Sequence, residues 1–360
     1  MKQLLSILLT AVLMIFSTES RSQGCVAIRS TGGICSMDRS ETDNPSPWTL
    51  NVNNRYFKSF RHFIGTVEQK QRVDQGTEVI NHAYTLDLTL TRNLNKWWSF
   101  ALDAPIIADS RSSLYEHDGK TRHLTHSFGL GDVRFTAYRW MLNPSKMPKG
   151  NIQLGLGIKL PTGDYKYQDL FYKNDSTKVL GPVDQSIQLG DGGTGFSTEV
   201  NAYYDFSKHI NVYGNFYYLV NPREQNGTST ARGGTVSASS IRYGSSTMSV
   251  PDQYLIRAGA NFSFKALTIS AGVRDECLPV HDLIGGSSGF RRPGYIISAE
   301  PGVTYNFKKI NIYAYVPVAV VRNRTQSVPD KTQTQITGVY TQGDAAFADY
   351  TVNIGFTVKL

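Results

Sequence analysis

The stretch Asp349–Leu360, DYTVNIGFTVKL, alternates between apolar and polar or glycine residues up to the end of the chain. Successive side chains of a β-strand point to opposite faces, so the stretch predicts a strand with one apolar and one polar face. Asn151–Leu160, NIQLGLGIKL, has the same alternation. The repeat predicts about twelve strands, near residues 47–61, 81–92, 97–108, 126–142, 151–161, 194–206, 209–220, 251–264, 267–280, 294–307, 310–321 and 345–360.

The connections between these segments alternate in length. Short turns such as Ser207–Lys208 and Lys265–Ala266 alternate with long polar segments near 62–80, 109–125, 162–192, 221–250, 281–293 and 322–344. Outer-membrane barrels have this asymmetry, with short periplasmic turns and long extracellular loops. The fold prediction is all-β: a transmembrane antiparallel up-and-down β-barrel of about twelve strands over residues 47–360.

A soluble antiparallel sandwich also alternates in this way, and two observations oppose it. The segments exceed the ~5–6 residues of soluble strands and suffice for a tilted span of ~9–11. Aromatic residues also gather at strand ends beside the short turns, as in an interfacial girdle. The predicted girdle comprises Trp97, Trp98, Trp140, Tyr204, Phe206, Phe264, Tyr305 and Phe307.

The N-terminal segment predicts export. Lys2 precedes the apolar run Leu4–Phe16, so residues 1–22 are predicted to be a signal peptide, cleaved on the way to the outer membrane of a Gram-negative bacterium. Residues 23–46 precede the first strand and form either a periplasmic linker or a plug in the barrel lumen. In this oxidising context Cys25 and Cys35 could form a disulfide, and Cys277 would then be the remaining cysteine.

Composition and motifs argue against several functional classes. The +8 formal charge is scattered over loops and turns, so no nucleic-acid partner is predicted. His117, His123 and His126 share one predicted loop, where solvation is commoner than metal binding, and neither a metal nor a cofactor is predicted. Ser127 follows His126 directly and would point to the opposite face of a strand, which opposes a hydrolase. The chain is therefore not predicted to be an enzyme.

The polar strand faces would line the barrel interior. The lumen-lining candidates carry both charges and phenol groups: Arg55, Asp87, Asp103, Asp132, Arg134, Lys159, Glu199, Arg257, Arg274, Glu300, Tyr213, Tyr313 and Tyr315. Two interpretations remain open. The residues form a network of pairs that rigidifies the barrel, or they line a solute path on which tyrosine rings stack amphipathic compounds.

One pair of motifs carries a family resemblance. Gly129-Leu130-Gly131-Asp132 opens one strand, and Lys159-Leu160-Pro161-Thr162-Gly163-Asp164 ends the next. Together they resemble the outer-membrane barrels of the putative MetA-pathway of phenol degradation, or transporter-like, family. The resemblance implies a channel for small, often aromatic, compounds. From the residues themselves, Gly129 and Gly131 would relieve crowding at the rim, Asp132 would pair with Arg134, and Pro161, Thr162 and Gly163 would end the strand and begin the third long loop.

The resulting functional prediction is a porin-like passive channel or transporter for small, possibly aromatic or hydrophobic, solutes. The expected partners are outer-membrane lipid and the barrel-assembly machinery. The alternative is a closed accessory barrel whose loops 162–192 and 221–250, with exposed Phe171, Tyr172 and Arg223, bind a surface partner or polysaccharide.

Overall fold

The computed structural model describes residues 46–143 and 146–360. The predicted signal peptide, the segment before the first strand and the possible Cys25–Cys35 disulfide lie outside this range. In the described residues the chain forms a closed antiparallel barrel of twelve strands. No helix in this part of the chain is both long and apolar enough to cross a bilayer.

Ten of the crossings are continuous strands and two are interrupted. The crossings are β1 (Trp48–Ile64), β3 (Ile80–Asn93), β4 (Trp98–Ser113), β5 (His123–Leu130) with β6 (Arg134–Trp140), β7 (Gly150–Lys159), β10 (Gly195–Asp205), β11 (Ile210–Val220), β14 (Gln253–Phe264), β15 (Leu267–Leu278), β16 (Gly294–Asn306), β17 (Ile310–Tyr315) with β18 (Val318–Arg324), and β19 (Ala345–Lys359).

The long connections contain the remaining elements. These are β2 (Val67–Glu68), helix α1 (Gln71–Asp74), the hairpin β8 (Gln168–Tyr172) and β9 (Lys178–Pro182), a 3-10 turn (Gln185–Ile187), the pair β12 (Gln225–Ser229) and β13 (Thr247–Ser249), helix α2 (Ala238–Tyr243) and helix α3 (Val328–Thr337). All of them lie at the end of the barrel opposite the short turns, because that is where the long connections emerge.

Consecutive crossings pair with one another, and β19 pairs with β1 from Thr49 opposite Lys359 to Phe63 opposite Ala345. Closure leaves the barrel without a sheet edge, which is what a bilayer requires of a spanning sheet. Apolar side chains are outside: Leu156 is 67% exposed and Ile354 51%. Polar side chains are inside, where Asp87 is 0% and Glu300 1% exposed.

The strand predictions differ from the structure in detail. The segment predicted at 126–142 begins at His123 and is divided at residues 131–133. The segment predicted at 310–321 is divided after Tyr315 and continues to Arg324. Pro317 lies in that second gap, and it has no N–H to donate to a ladder. Most of the predicted girdle is exposed beside the short turns. The prediction is wrong for Trp140, whose side chain is buried and packs on Tyr203 at 6.0 Å between ring centroids.

Candidate functional site

Tyrosines on the inner wall face glycines on the next strand. Tyr315 is directly opposite Gly302, and Tyr313 directly opposite Gly355. A Cβ at Gly355 would lie 2.5 Å from the Tyr313 hydroxyl, and one at Gly302 would overlap the Tyr315 ring. The same arrangement joins Tyr138 to Gly155 and Tyr213 to Gly259. The glycines therefore provide the space in which these rings lie against the barrel wall.

One group of interior charges lies on the wall formed by β14, β15 and β16. Arg257 Nε donates to Glu300 at 3.0 Å, and Arg274 donates to the other oxygen of Glu300 at 3.5 Å and to Glu276 at 2.7 Å. All four side chains are buried. The two arginines and two glutamates balance each other in charge, so this group of four side chains has no net charge.

A second group of polar residues lies on the other wall. Glu199 accepts hydrogen bonds from Tyr138 at 2.8 Å, Asn201 at 3.1 Å and Asn215 at 3.3 Å. Thr89 donates to Asp103 at 2.8 Å, and Asn53 donates to Asp87 at 3.4 Å. The guanidinium of Arg134 lies 5.7 Å from the centre of the Tyr217 ring. Neutral amides and hydroxyls thus supply many of the contacts of these buried carboxylates.

The structure places every lumen-lining candidate in the barrel interior. Each is less than a tenth exposed, and they are Arg55, Asp87, Asp103, Asp132, Arg134, Lys159, Glu199, Arg257, Arg274, Glu300, Tyr213, Tyr313 and Tyr315. Burial inside the barrel is compatible with a rigidifying network and with a solute path, so a role in transport stays a prediction.

The two halves of the sequence motif meet at the outer end of the barrel. Thr162 Oγ1 donates to the carbonyl of Gly131 at 2.7 Å and accepts from the N–H of Val133 at 2.9 Å. A Cβ at Gly131 would lie 2.7 Å from Ile107, and one at Gly163 would lie 2.5 Å from the carbonyl oxygen of Leu189. The motif glycines are thus needed because the inward-folded segment around Leu189 packs directly on them.

Asp132 pairs with Lys159. The Asp132 carboxylate lies 3.5 Å from the Lys159 ammonium, and it accepts from the N–H groups of Gly163 at 3.0 Å and Asp191 at 3.2 Å. The Lys159 ammonium also contacts the Asp191 carboxylate. The predicted pairing of Asp132 with Arg134 stays a prediction; the strand pairing also brings Lys159 to this carboxylate, since Lys159 is opposite Arg134 in the ladder between β6 and β7.

A cavity of about 60 Å³ lies next to this lysine. Its lining combines the charged side chains of Asp132, Lys159 and Asp191 with apolar ones from Leu219, Met248 and Leu278. The apolar members come from barrel strands and from β13, so the cavity lies between the barrel interior and the folded loops. An apolar wall with a few fixed charges suits an amphipathic solute.

Folded loops cover the cavity on its outer side, and Asp184 is at the centre of the cover. Its carboxylate lies 2.8 Å from Arg232, 2.6 Å from Arg292 and 3.5 Å from Arg111. Arg111 and Arg232 also contact Glu116, at 2.6 Å and 3.1 Å. These side chains come from β4 and from four different loops, so one ionic cluster joins those loops together.

The arginines determine the ionisation of this cluster. Burial by itself would raise the pKa of Asp184, but Arg111, Arg292 and Arg232 hold this pKa well below its ordinary value. Burial opposes ionisation of Glu116 in the same way, and Arg111 and Arg232 lower its pKa. A second ion pair in the cover, Arg291 with Asp282 at 2.6 Å, is fully buried. The arginines therefore favour the ionised form of both carboxylates, Asp184 and Glu116.

The residues of the cover were not predicted from the sequence. Asp184, Arg232 and Arg292 lie far apart in polar segments without a motif, and only the tertiary structure brings them together. The prediction that Phe171 is exposed is wrong: its side chain is 0% exposed and stacks on His117 at 5.3 Å. Arg223 is exposed, and its guanidinium donates to the carbonyl of Gly192 at 2.6 Å.

The loop histidines are engaged in aromatic contacts. The His123 ring stacks on Tyr172 at 3.8 Å, and His126 and Ser127 lie on opposite faces of β5. Within residues 46–143 and 146–360, no group of three or more His, Cys, Asp and Glu side chains is arranged to hold a metal ion. Cys277 is a buried thiol.

Solved structures of outer-membrane proteins are similar to this chain, and the first of them has the same fold. An outer-membrane channel from Pseudomonas putida F1, of the COG4313 group, is 10% identical, with a TM-score of 0.58 over 89% of this chain and 98% of its own. The Neisseria meningitidis autotransporter NalP translocator domain is 10% identical, with a TM-score of 0.44 over 89% and 91%. The Ralstonia pickettii toluene transporter TbuX is 10% identical, with a TM-score of 0.43 over 95% and 99%.

No family model and no curated protein matches the sequence. Identities at this level indicate a common architecture only. The chain is thus a twelve-stranded barrel of the outer-membrane type.

Proposed function

We propose that this protein is a passive outer-membrane channel for small amphipathic solutes, with aromatic or hydrophobic compounds as the favoured class. The observation that carries the proposal is the lining of the barrel interior beside Lys159, where Leu219, Met248 and Leu278 offer apolar surface and the Lys159–Asp132 pair offers charge. The cavity between them is about 60 Å³, smaller than a typical ligand site, so passage of a solute requires the loops above it to move. The tyrosines along the inner wall would offer further aromatic surface deeper in the barrel.

The resemblance of the GLGD and KLPTGD motifs to the MetA-pathway, transporter-like family supports the same class of solute. In this proposal residues 1–22 direct export and are removed, outer-membrane lipid surrounds the apolar face, and the barrel-assembly machinery inserts the chain through its last strand. The interior carboxylates have structural partners and the loop histidines have ring partners, so no catalytic role is assigned to them.

Planar-bilayer recording of the refolded mature protein tests the proposal, beside a variant that lacks residues 24–46. Stable conductance steps in the wild type, reduced by small aromatic solutes but not by sugars of similar size, would support it. Larger steps in the shortened variant would identify residues 24–46 as a plug. Absence of steps in both proteins would refute the channel.

A closed accessory barrel is the second candidate, and the ionic cover around Asp184 favours it. Side chains from four loops meet there in ion pairs with two buried carboxylates, which is what a permanently folded binding surface would require. This function predicts no conductance in any variant, together with loss of a surface partner when the exposed hairpin turn Lys173–Thr177 is shortened.

A further inference from the structure

A second, larger cavity lies outside the barrel lumen. This cleft has a volume of about 390 Å³ and lies between the α3 loop and the outer ends of β16 and β18. Small-molecule sites typically occupy ~300–1,000 Å³, so the cleft has the size of a binding site, whereas the interior cavity is much smaller. Its location does not depend on whether the barrel conducts.

Amides and phenols form the walls of the cleft. Tyr295 from β16 and Tyr340 from the α3 loop line it together with Asn323, Gln326 and Gln342. Each amide offers both donors and acceptors, and each phenol a hydroxyl and an aromatic face. Such a set matches a ligand that has several hydroxyl groups on a compact ring.

These wall groups are held in place by bonds within the loop. The Gln326 amide donates to Thr334 Oγ1 at 3.1 Å and to the carbonyl of Thr341 at 2.7 Å. The Tyr340 hydroxyl donates to the side-chain oxygen of Gln342 at 2.5 Å. The Thr325 hydroxyl oxygen, also at the cleft, is buried and has no partner within the described residues. The walls are therefore preorganised and retain a polar group without a partner.

Lys331 gives the cleft a positive charge. Its ammonium lies 3.3 Å from Nε2 of His281, to which it donates. The neighbouring carboxylates are already engaged, because Asp330 pairs with Arg324 at 3.2 Å and Asp282 with Arg291 at 2.6 Å. Within the described residues, no carboxylate lies within ion-pair distance of Lys331. An anion in the cleft would neutralise this charge.

The pKa of His281 lies below its ordinary value. Burial lowers this pKa most, the charges of Lys331 and Arg291 lower it further, and the charge of Asp282 opposes them. An anion bound next to Lys331 would offset this repulsion and stabilise the protonated imidazole. Binding of an anion in the cleft and protonation of His281 are therefore coupled through Lys331, which contacts both.

We propose that the cleft on the α3 loop binds an acidic saccharide. The acid group would lie on Lys331, the sugar hydroxyls on the side chains of Asn323 and Gln342, and one face of the ring against Tyr340. Two sources carry this chemistry, free sugar acids outside the cell and the sugar acids of lipopolysaccharide in the surrounding membrane. The surface site is thus distinct from the solute path in the lumen.

Titration calorimetry on the full mature protein in lipopolysaccharide-free detergent tests the proposal, with galacturonate, galactose and acetate as probes. Galacturonate is expected to bind, and galactose and acetate to bind at least roughly tenfold more weakly, because each lacks half of the contacts. Lys331→Gln should weaken galacturonate binding by roughly tenfold or more, whereas Lys178→Gln, in the exposed β8–β9 hairpin, should leave it unchanged.

The pH dependence of galacturonate affinity separates ligand binding by Lys331 from a purely structural role, because a structural role would not make the affinity depend on the protonation of His281. Galacturonate binding should tighten from mildly alkaline to mildly acidic pH as His281 gains a proton, and His281→Gln should abolish this dependence while the folded barrel is retained. No galacturonate binding, equal binding of galactose, or full binding by Lys331→Gln would each overturn the proposal.

The membrane environment distinguishes the two sources. If lipopolysaccharide provides the natural ligand, galacturonate binding will disappear in nanodiscs that contain lipopolysaccharide and persist in nanodiscs of phospholipid alone. If free sugar acids are the ligand, binding will be equal in both. Either result supports the site and assigns its source.

Discussion

At Asp184, one carboxylate contacts three guanidinium groups, those of Arg111, Arg232 and Arg292. Removing one partner of a buried ion pair leaves the others uncompensated, at a cost of ~3–5 kcal/mol. We expect Asp184→Asn to lower the opening free energy of the outer loops by about this amount. Amide hydrogen exchange over residues 162–192 measures it. Asp175→Asn, at the exposed hairpin turn, is the matched control and should leave exchange unchanged.

The same residue predicts a pH dependence. The pKa of Asp184 is lower in the folded protein than its unfolded value of about 4, so its contribution to stability is complete above the unfolded value. That contribution is lost as the pH falls through the folded pKa. Acid should therefore open the cover of the wild type, and Asp184→Asn should show a weaker acid dependence by the same exchange measurement. An unchanged acid profile in the variant would contradict this assignment.

Gly302 is the residue whose space the Tyr315 ring fills. Gly302→Val forces side chains or backbone to move, and such overpacking costs ~1–3 kcal/mol. We expect the midpoint of urea unfolding in detergent micelles to fall accordingly. The control is Gly214→Ala, because a Cβ there meets nothing closer than the Arg257 carbonyl oxygen at 3.9 Å. Equal midpoints for Gly302→Val and the wild type would refute the packing argument.

Among the elements, helix α3 has the clearest local signal. Ser327 accepts from the N–H of Asp330, the Asp330 carboxylate accepts from the N–H of Ser327, and Pro329 follows in the first turn. A capping box of this kind predicts a helix, here within a long loop in which strand alternation gives no signal. The same helix carries Lys331, so its cap also positions the proposed saccharide site.

Removal of this cap gives an element-scale prediction. Ser327→Ala should lower the stability of α3 by about 1 kcal/mol, because the N–H of Asp330 loses its acceptor. Hydrogen exchange of the α3 amides should become faster, while the amides of β1 and β19 remain protected. Ser327→Thr keeps the hydroxyl and should exchange like the wild type. Slower exchange in Ser327→Ala would show that the cap does not stabilise this helix.

For the whole molecule, closure depends on β19. It pairs with β1 along its length and with β17 through Ile310 opposite Val358 to Tyr315 opposite Asn353. Removing residues 351–360 leaves two edges unpaired, and each unsatisfied backbone group in lipid costs several kcal/mol. The truncated chain should not give the compact, SDS-resistant band of a folded barrel. Shortening the Lys173–Thr177 turn, which leaves the barrel ladders intact, should preserve that band.

Periodicity along the chain predicts a barrel of about twelve strands and the inward face of each interior candidate. Strand periodicity and connection length are local properties, so they can be recognised in the sequence. Strands that alternate in this way can cross a bilayer only as part of a closed barrel. Alternation along a strand predicts an interior position for Lys159 and for Glu300. The Gly–Tyr pairs were visible only as residue types, since the register that sets Gly302 opposite Tyr315 is a relation between strands.

The cover of the barrel and the pairing of its charges result from long-range packing. Asp184 and Arg292 are separated by 108 positions, and Arg111 comes from a barrel strand. Pairing across such distances depends on how loops fold over one another, which leaves no periodic signal in the sequence. The same holds for the partner of Asp132 and for the burial of Phe171 and Trp140. Long-range contacts of this kind are set by packing, because burial of a charge is tolerated only where its partners converge.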